Sequence, residues 1–181
     1  MADILIVYAT VEGQSRRIAD LLGDHLVRCK HGRTLVDATD PPEDLDVSAH
    51  DAVILVASVH ADRHHAAAVN FARKNVAALN RTPSALVSVS LHAASGEAED
   101  EEEMRAYVDR FCAETGWLPR AVHYAAGALR FAQFDFFKRW MARRLTRELG
   151  MEFDPERDVE LTDWRALEAF ADDFLAEHVG R

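Results

Sequence analysis

The chain has 181 residues, 49% of them hydrophobic, and a formal net charge of −10. This length indicates one domain, and the hydrophobic fraction suffices for a full core and argues against disorder. The acidic balance argues against a nucleic-acid binder, which needs a basic face. No apolar run approaches the roughly 18 residues of a membrane span. A strand pattern within the first residues predicts no signal peptide.

The chain begins with a strand pattern, a short loop and a helix pattern. Four successive apolar residues predict a strand over Asp3–Ala9 that is buried on both faces. A helix is predicted over about Gly13–Lys30. Thr10, Gly13 and Ser15, at the junction of this strand and this helix, are typical of a loop that cradles a phosphate at a helix N-terminus. Ordinary helix capping by the two hydroxyls explains the same residues, and both interpretations stay open.

Strands and helices continue to alternate along the chain. Further strands are predicted at Thr34–Val36, Ala52–Ala57, Ala85–Val89 and Ala121–Ala125. A second helix is predicted to bury one face, made of Val69, Ala72, Val76 and Leu79. A third helix begins at an acidic run, which suits a first helical turn, and carries the apolar residues Met104, Tyr107, Val108 and Phe111. The last helix, about Asp163–His178, is predicted to bury Trp164, Leu167, Phe170 and Phe174.

This alternation predicts an α/β fold, a doubly wound parallel sheet with helices on both faces. Ligands of such sheets bind at the carboxyl ends of the strands, near the switch point of the topology. Three predicted loops leave that edge: Thr10–Ser15, Ser58–His65 and Ser90–Gly96. We therefore expect a ligand site where these loops meet.

No metal site is predicted. His60, His64 and His65 have a spacing that can bind zinc on a helix, but no suitable third ligand is nearby in the sequence. The two cysteines, Cys29 and Cys112, lack CxxC spacing. Both are predicted to be reduced thiols of a cytosolic protein, with Cys112 in a helix core.

One segment, between residues 127 and 162, does not fit the alternation. Residues 134–149 include five basic and two acidic residues, a net charge of +3 within an acidic chain. Phe137, Met141 and Leu145 recur every four residues, which predicts a basic amphipathic helix. Such a helix either lies on an anionic membrane surface or packs on its own domain.

Several stretches together resemble one known family. They are Ala9–Ser15, Ala57–Val59, Thr82–Ala85, Ser88–Leu91, Ala126–Phe131 and Thr162–Trp164. The chain resembles the bacterial menaquinone-dependent protoporphyrinogen IX dehydrogenases, flavodoxin-fold FMN enzymes of haem biosynthesis. Ala126–Phe131 followed by an aromatic-basic segment is the most specific part, because ordinary flavodoxins lack it. The resemblance implies one flavodoxin-like domain over residues 1–181, a five-stranded parallel sheet of order 2-1-3-4-5, and an aromatic-basic helical insertion at about 128–157 before the last helix.

The resemblance also implies an FMN site. Its phosphate loop matches Thr10, Glu12, Gly13, Gln14 and Ser15. The loops on the two sides of the isoalloxazine ring match Ser58, Val59, His60 and Ala61, and Ser88, Val89, Ser90, Leu91 and His92. Gly127 is assigned to the same site. The Glu12 carboxylate cannot bind phosphate and is expected to point away.

The second loop departs from the family's pattern. Where the family has an arginine, an aromatic residue and a glycine, this chain has His60, Ala61 and Asp62. The change removes the obvious stacking partner of the flavin. His60 or Phe131 can stack on the ring instead.

The implied reaction is the oxidation of protoporphyrinogen IX, with hydride passing from a methylene bridge to flavin N5 and electrons passing to menaquinone or ubiquinone. No catalytic side chain is predicted, because the cofactor carries the chemistry. The predicted substrate-binding residues are Arg130, Phe131, Lys138 and Arg139. Arginine suits bidentate binding of the porphyrinogen propionates.

The expected location is cytoplasmic and peripheral on the inner membrane, with no nucleic-acid partner. The oligomeric state, including a homo-oligomer, and the alternative substrate coproporphyrinogen stay open. A second hypothesis is a flavodoxin-like electron carrier whose acidic surface docks on a redox partner. A third is a domain that has lost its flavin and only binds a partner.

Overall fold

The computed structural model describes residues 1–94, 98–129 and 159–179, in which strands and helices alternate. The strands are β1 (Asp3–Ala9), β2 (Gly32–Asp37), β3 (Ala52–His60), β4 (Arg63–His64), β5 (Ser84–Ser90), β6 (Ala121–Ala126), β7 (Ala128–Leu129) and β8 (Val159–Glu160). The helices are α1 (Gln14–Arg28), α2 (Ala66–Lys74), α3 (Val76–Arg81), α4 (Ala98–Thr115) and α5 (Trp164–His178).

The main sheet has the order β2-β1-β3-β5-β6, and these five strands are all parallel. Counted among the parallel strands, this is the predicted order 2-1-3-4-5, which is confirmed. The short strand β4 is antiparallel to β3 and lies off this path. The central strands are buried along most of their length and mostly apolar, because helices cover both faces of the sheet.

Two apolar layers hold the sheet. On one face, Ile4 and Ile6 of β1 pack with Leu22 of α1 and Phe174 of α5. On the other face, the intervening residues of β1 belong to a second cluster with residues of α2, α3 and α4, among them Phe111. This alternation follows from the two-residue repeat of a strand.

By their internal contacts the residues form two compact units. One consists of Met1–Gly127 with Thr162–Arg181, and the other of Ala128–Leu161. In the second unit β7 and β8 pair antiparallel. The predicted aromatic-basic helix lies outside the described residues, and the assignment of one domain with an insertion at about 128–157 stays a prediction.

The second predicted helix is wrong as a single helix, because α2 and α3 are separate. Asn75 lies between them, and both its backbone N–H and its side-chain Nδ2 donate to the carbonyl of Phe71, at 3.1 and 2.9 Å. A side-chain amide that competes for a helical carbonyl interrupts the regular pattern. Strand β3 also extends three residues beyond the predicted end at Ala57.

The last helix is less buried than predicted. Leu167 and Phe174 are buried, whereas Trp164 and Phe170 are only partly covered. Cys112 is likewise half-buried rather than in the core, and both cysteines are free thiols. Within the described residues, no helix combines the length and the hydropathy that a membrane span requires.

Two leucines, one buried and one exposed, test this packing. Leu22 on α1 is 0% exposed and Leu118 is 72% exposed. We expect Leu22→Ala to lower the free energy of unfolding by about 2–5 kcal/mol, because it leaves a cavity between α1 and the sheet. Leu118→Ala should change it by less than about 0.5 kcal/mol. Urea denaturation of both variants makes the measurement, and equal losses would contradict the packing.

Candidate functional site

The carboxyl ends of the three central strands lie side by side. In the register of the parallel strands, Ala57 on β3 lies between Ala9 on β1 and Ser88 on β5. The segments that follow these strands therefore emerge at one edge of the sheet, as predicted. This edge is where doubly wound sheets bind their ligands.

The loop after β1 is closed by a threonine and a glycine. The backbone N–H of Gly13 donates to Thr10 Oγ1 at 2.8 Å, and Gly13 has a left-handed φ of 88°. Helix α1 then begins, and its first intrahelical bond runs from the N–H of Arg17 to the carbonyl of Gly13. The N–H groups at the helix start have no intrahelical acceptor, and they carry the positive end of the helix dipole.

Ser15 lies in the first turn of α1 and is completely buried. Its Oγ has no hydrogen-bond partner within the described residues. A buried hydroxyl without a partner costs about 1–3 kcal/mol. The N-cap residue of α1 is Gly13, which has no side chain to make a capping bond. The Thr10 hydroxyl accepts the N–H of Gly13 itself, in the loop before the helix. The predicted capping by these two hydroxyls is therefore wrong. The phosphate interpretation stays a prediction, with which the buried hydroxyl of Ser15 is compatible.

Gln14 holds this loop to the chain segment before α5. Its Nε2 donates to Thr162 Oγ1 at 2.8 Å, and that hydroxyl donates to the carbonyl of Ala126 at 2.7 Å. Gln14 and Thr162 are both buried. The side chain of Gln14 thus fixes the position of the helix start. Glu12, in the same loop, is half-exposed.

Two arginines near the loop were not identified from the sequence. Arg16 and Arg17 lie in the first turn of α1, which has no acidic residue. Their guanidinium groups lie 6.0 Å from the ring centre of Tyr8 and 5.5 Å from that of Trp164, respectively. Positive side chains are unfavourable at a helix N-terminus unless an anion is near. Arg16 has one such anion, the Asp20 carboxylate 3.9 Å away. Two basic residues in a first helical turn that has no acidic residue were the feature of the sequence that could have indicated an anion-binding site here.

The second predicted loop is instead a β-hairpin. Ser58, Val59 and His60 belong to β3, and Val59 pairs with His64 of β4. The two turn residues, Ala61 and Asp62, have left-handed φ values of 47° and 63°. A two-residue hairpin turn of this shape normally carries Asn or Gly, and neither residue is present at positions 61 and 62 to indicate a hairpin.

Helix α4 anchors the hairpin turn. Arg110 Nη1 donates to the carbonyl of Asp62 at 2.6 Å, and the Tyr107 hydroxyl donates to the Asp62 carboxylate at 3.1 Å. Burial raises the pKa of Tyr107, with the neighbouring carboxylates adding to the shift, so the phenol stays protonated as a donor. These bonds offset the backbone strain of the turn and fix its position.

His64 and His65 have structural partners. His64 is buried, and its Nε2 lies 2.9 Å from Ser88 Oγ on β5. Burial lowers the pKa of His64 to about 4, so its ring is neutral at pH 7. His65 Nδ1 accepts the N–H of Ala67 and caps α2. The groupings of metal-ligand atoms among the described residues do not include His60, His64 or His65.

The third segment follows β5. Ser88, Val89 and Ser90 are still strand residues, and His92 begins a short 3₁₀ turn that ends at Ala94. Ser90 Oγ is buried and, like Ser15 Oγ, has no partner within the described residues. The carbonyl of Ser90 accepts the N–H of Gly127 at 3.2 Å.

The side chains beyond this strand have separate environments. Leu91 is half-buried and lies beside Gly127. If Gly127 were replaced by a residue with a Cβ, that atom would lie 3.7 Å from Leu91 Cδ2, which is an ordinary van der Waals contact. His92 Nε2 lies 3.0 Å from Glu103 Oε2 on α4. The predicted substrate-binding residues, Arg130, Phe131, Lys138 and Arg139, lie outside the described residues, as do Ser95 and Gly96 of the third predicted loop.

Comparison with known proteins identifies relatives along almost the whole chain. The family model described as a flavodoxin domain matches residues 5–156. A protein of Escherichia coli (strain K12) named protoporphyrinogen IX dehydrogenase (quinone) is 30% identical over 169 residues, which cover 92% of this chain and 91% of that protein. A Leishmania major protein of the same name is 29% identical over 177 residues, which cover 95% of this chain and 74% of that protein.

Solved flavodoxins share the fold. Oxidised flavodoxin 1 from Bacillus cereus is 12% identical with a TM-score of 0.58, covering 96% of this chain and 97% of its own. The Streptococcus pneumonia TIGR4 flavodoxin is 19% identical with a TM-score of 0.56, covering 97% of this chain and 99% of its own. The predicted flavodoxin-like fold is confirmed.

The buried His64 makes stability depend on pH. Its folded pKa of about 4 lies below the ordinary value of 6.5, so the unfolded chain takes up a proton that the folded protein does not. Stability is therefore lost as pH falls from about 6.5 towards 4. We expect the wild type to lose about 2 kcal/mol more than His64→Gln between pH 7 and pH 5. Urea denaturation at the two pH values tests this, and parallel pH profiles would contradict it.

Proposed function

Because this chain belongs to the flavodoxin-fold family of quinone-dependent protoporphyrinogen IX dehydrogenases, we propose that it is an FMN enzyme that oxidises protoporphyrinogen IX to protoporphyrin IX. The family is one of oxidoreductases, as predicted from the sequence. In this proposal the electrons pass on to a quinone, and the reaction serves haem biosynthesis.

The buried hydroxyl of Ser15 is the observation that supports FMN most directly. It lies in the first turn of α1, beside a loop that Gly13 and Thr10 hold in a left-handed turn. The helix start and this hydroxyl form a donor set that fits a phosphate dianion, and Arg16 and Arg17 add positive charge in the same helical turn. A phosphate there would give Ser15 Oγ a hydrogen-bond partner, which it does not have among the described residues.

The flavin ring is assigned to the space between the hairpin and the end of β5. On one side of the ring this proposal puts the hairpin residues Ser58, Val59, His60 and Ala61. On the other side it puts Ser88, Val89, Ser90, Leu91 and His92, together with Gly127. The bonds from α4 to Asp62 hold the hairpin in place before a ligand arrives. Because the hairpin is already held in one conformation, less conformational entropy is lost when a ligand binds. Of the two residues predicted to stack on the ring, His60 lies within the described part of the chain, at the end of β3, and we propose it for this role.

The protein's part in the reaction is binding and orientation. When bound, FMN supplies a hydride acceptor for a methylene bridge of the porphyrinogen. The chain must hold donor and acceptor in contact, which can supply much of the rate. His64 is neutral and bonded to Ser88, so it supports the site without titrating near pH 7. We assign no catalytic acid or base.

Substrate binding is assigned to the segment after Gly127. Arg130, Phe131, Lys138 and Arg139 are proposed to contact the porphyrinogen, with the three basic residues pairing with its propionates. The net charge of +3 over residues 134–149 suits an anionic membrane surface, where each basic residue contributes about 1 kcal/mol. We therefore propose a cytoplasmic protein, peripheral on the inner membrane, that reaches a membrane quinone there.

The experiment that tests the function is anaerobic mixing of the purified protein with protoporphyrinogen IX, followed by absorbance. The proposal predicts a bound-flavin spectrum that bleaches on mixing and recovers when a quinone is added. A flavin spectrum that the porphyrinogen does not change would favour the electron carrier. No bound flavin after addition of FMN would contradict both functions.

A pair of buried serines gives a sharper prediction about the cofactor site. Ser15→Ala removes an unpartnered hydroxyl, so the unfolding free energy of the FMN-free protein should stay equal or rise, while FMN affinity falls about tenfold. Ser84 is the matched control, because its hydroxyl donates to the carbonyl of Leu79 and accepts the Trp117 indole N–H.

Ser84→Ala should lower the unfolding free energy by about 1–3 kcal/mol and leave FMN affinity unchanged. Urea denaturation without FMN and fluorescence titration with FMN measure the two properties. A Ser15→Ala variant that is destabilised like Ser84→Ala and binds FMN normally would remove the hydroxyl from the cofactor site.

A further inference from the structure

A thiol, an imidazole and a carboxylate lie close together at the C-terminal end of α1, the end opposite the loop from Thr10 to Gly13. His25 and Cys29 are one helical turn apart, with His25 on α1 and Cys29 directly after it, and Asp172 is on α5. His25 Nε2 lies 2.8 Å from Asp172 Oδ1 and 3.7 Å from Cys29 Sγ. Cys29 Sγ lies 4.0 Å from the same carboxylate oxygen. Three different metal-ligating atoms therefore face one another.

These separations are close to those around a zinc ion. With a zinc–sulfur bond of about 2.3 Å, zinc–nitrogen and zinc–oxygen bonds of about 2.0–2.1 Å and tetrahedral angles, the sulfur lies about 3.5–3.6 Å from each of the other two ligand atoms. The two distances from the sulfur exceed this range by less than half an ångström. The imidazole and the carboxylate are closer because they contact each other directly. Side-chain movements of about half an ångström would make room for the ion.

The surroundings favour a fixed histidine ligand. The His25 side chain is only 12% exposed, and its second ring nitrogen, Nδ1, lies 3.5 Å from Glu168 Oε1 on α5. A carboxylate on the far side of a histidine is the usual outer-shell partner of a zinc ligand. Arg28 pairs with Glu168 and balances its charge. Cys29 is exposed, so an ion can reach the site from solvent.

We propose that His25, Cys29 and Asp172 form a three-ligand zinc site, with water in the fourth position. A thiolate and a carboxylate neutralise the two charges of the ion, and binding releases the thiol proton to solvent. The other grouping of ligand atoms within the described residues, His92, Asp100 and Glu103, contains no thiol. The soft sulfur ligand is what selects zinc over magnesium or calcium at the first site.

The site would fasten α5 to the end of α1. The two helices already pack through Leu22, Leu26, Leu167 and Phe174. Zinc would add a link between His25 or Cys29 and Asp172, which are more than 140 positions apart in sequence. The loop from Thr10 to Gly13 is at the opposite end of α1, so zinc binding does not require FMN.

Calorimetric titration with zinc chloride tests the proposal on the full-length, tag-free protein after treatment with a chelator. We expect one ion per chain. Loss of an outer-shell partner already costs about 10–100-fold in metal affinity, so Cys29→Ser and His25→Asn should each cost more than about 100-fold. Zinc at a hundredfold excess over Kd should raise the wild-type Tm by about 5–10 °C.

Cys112→Ser is the matched control, because it removes the other thiol and should keep wild-type zinc affinity. Cobalt(II) provides a second readout that does not depend on folding of a variant. The difference spectrum of the wild type should show a thiolate-to-cobalt charge-transfer band, and alkylation of Cys29 should be slowed by zinc. Absence of zinc binding, equal affinity in Cys29→Ser, or absence of the cobalt band would overturn the proposal.

Discussion

The left-handed turn at Gly13 is the constraint on which the candidate site depends. It brings the start of α1 to the carboxyl edge of the sheet and directs the first-turn N–H groups into the loop after β1. In the first turn that follows, Ser15 Oγ is buried with no hydrogen-bond partner within the described residues, and two arginines stand where helices prefer acidic residues. Each feature is unfavourable in isolation. In the proposal, a phosphate bound in this loop would pair with the donors of the helix start and with the Ser15 hydroxyl, and it would balance the charge of the two arginines.

Much of this arrangement could be predicted from local sequence. The apolar run before Thr10 defines β1 with its observed bounds, and the alternation of strands and helices gives the sheet order. These predictions succeed because burial on both faces imposes continuous apolar strands, which are visible without tertiary information. The hydroxyls and glycine of the first loop also indicated a phosphate site, which stays a prediction. The alternative of helix capping is excluded only by the hydrogen bonds of the folded chain.

Other features could not be predicted because they depend on distant contacts. The hairpin turn at Ala61 and Asp62 lacks the usual glycine and is held by Tyr107 and Arg110 from α4. The burial that keeps His64 neutral depends on Ser88 and on the ring of Phe111. The grouping of Cys29 with Asp172 needs α1 and α5 to be packed together. In each case the local sequence contains only one partner of the interaction, and the other partner lies far away along the chain.

The most direct test of the central claim is calorimetric titration of the flavin-free protein with FMN and with riboflavin, which differ in the phosphate. If the loop after β1 is a phosphate site, two charge-assisted hydrogen bonds should make FMN bind about 100-fold more tightly than riboflavin. The difference should shrink in Ser15→Ala. Equal affinities for the two flavins would contradict the account, because the donors at the start of α1 would then have no phosphate to bind.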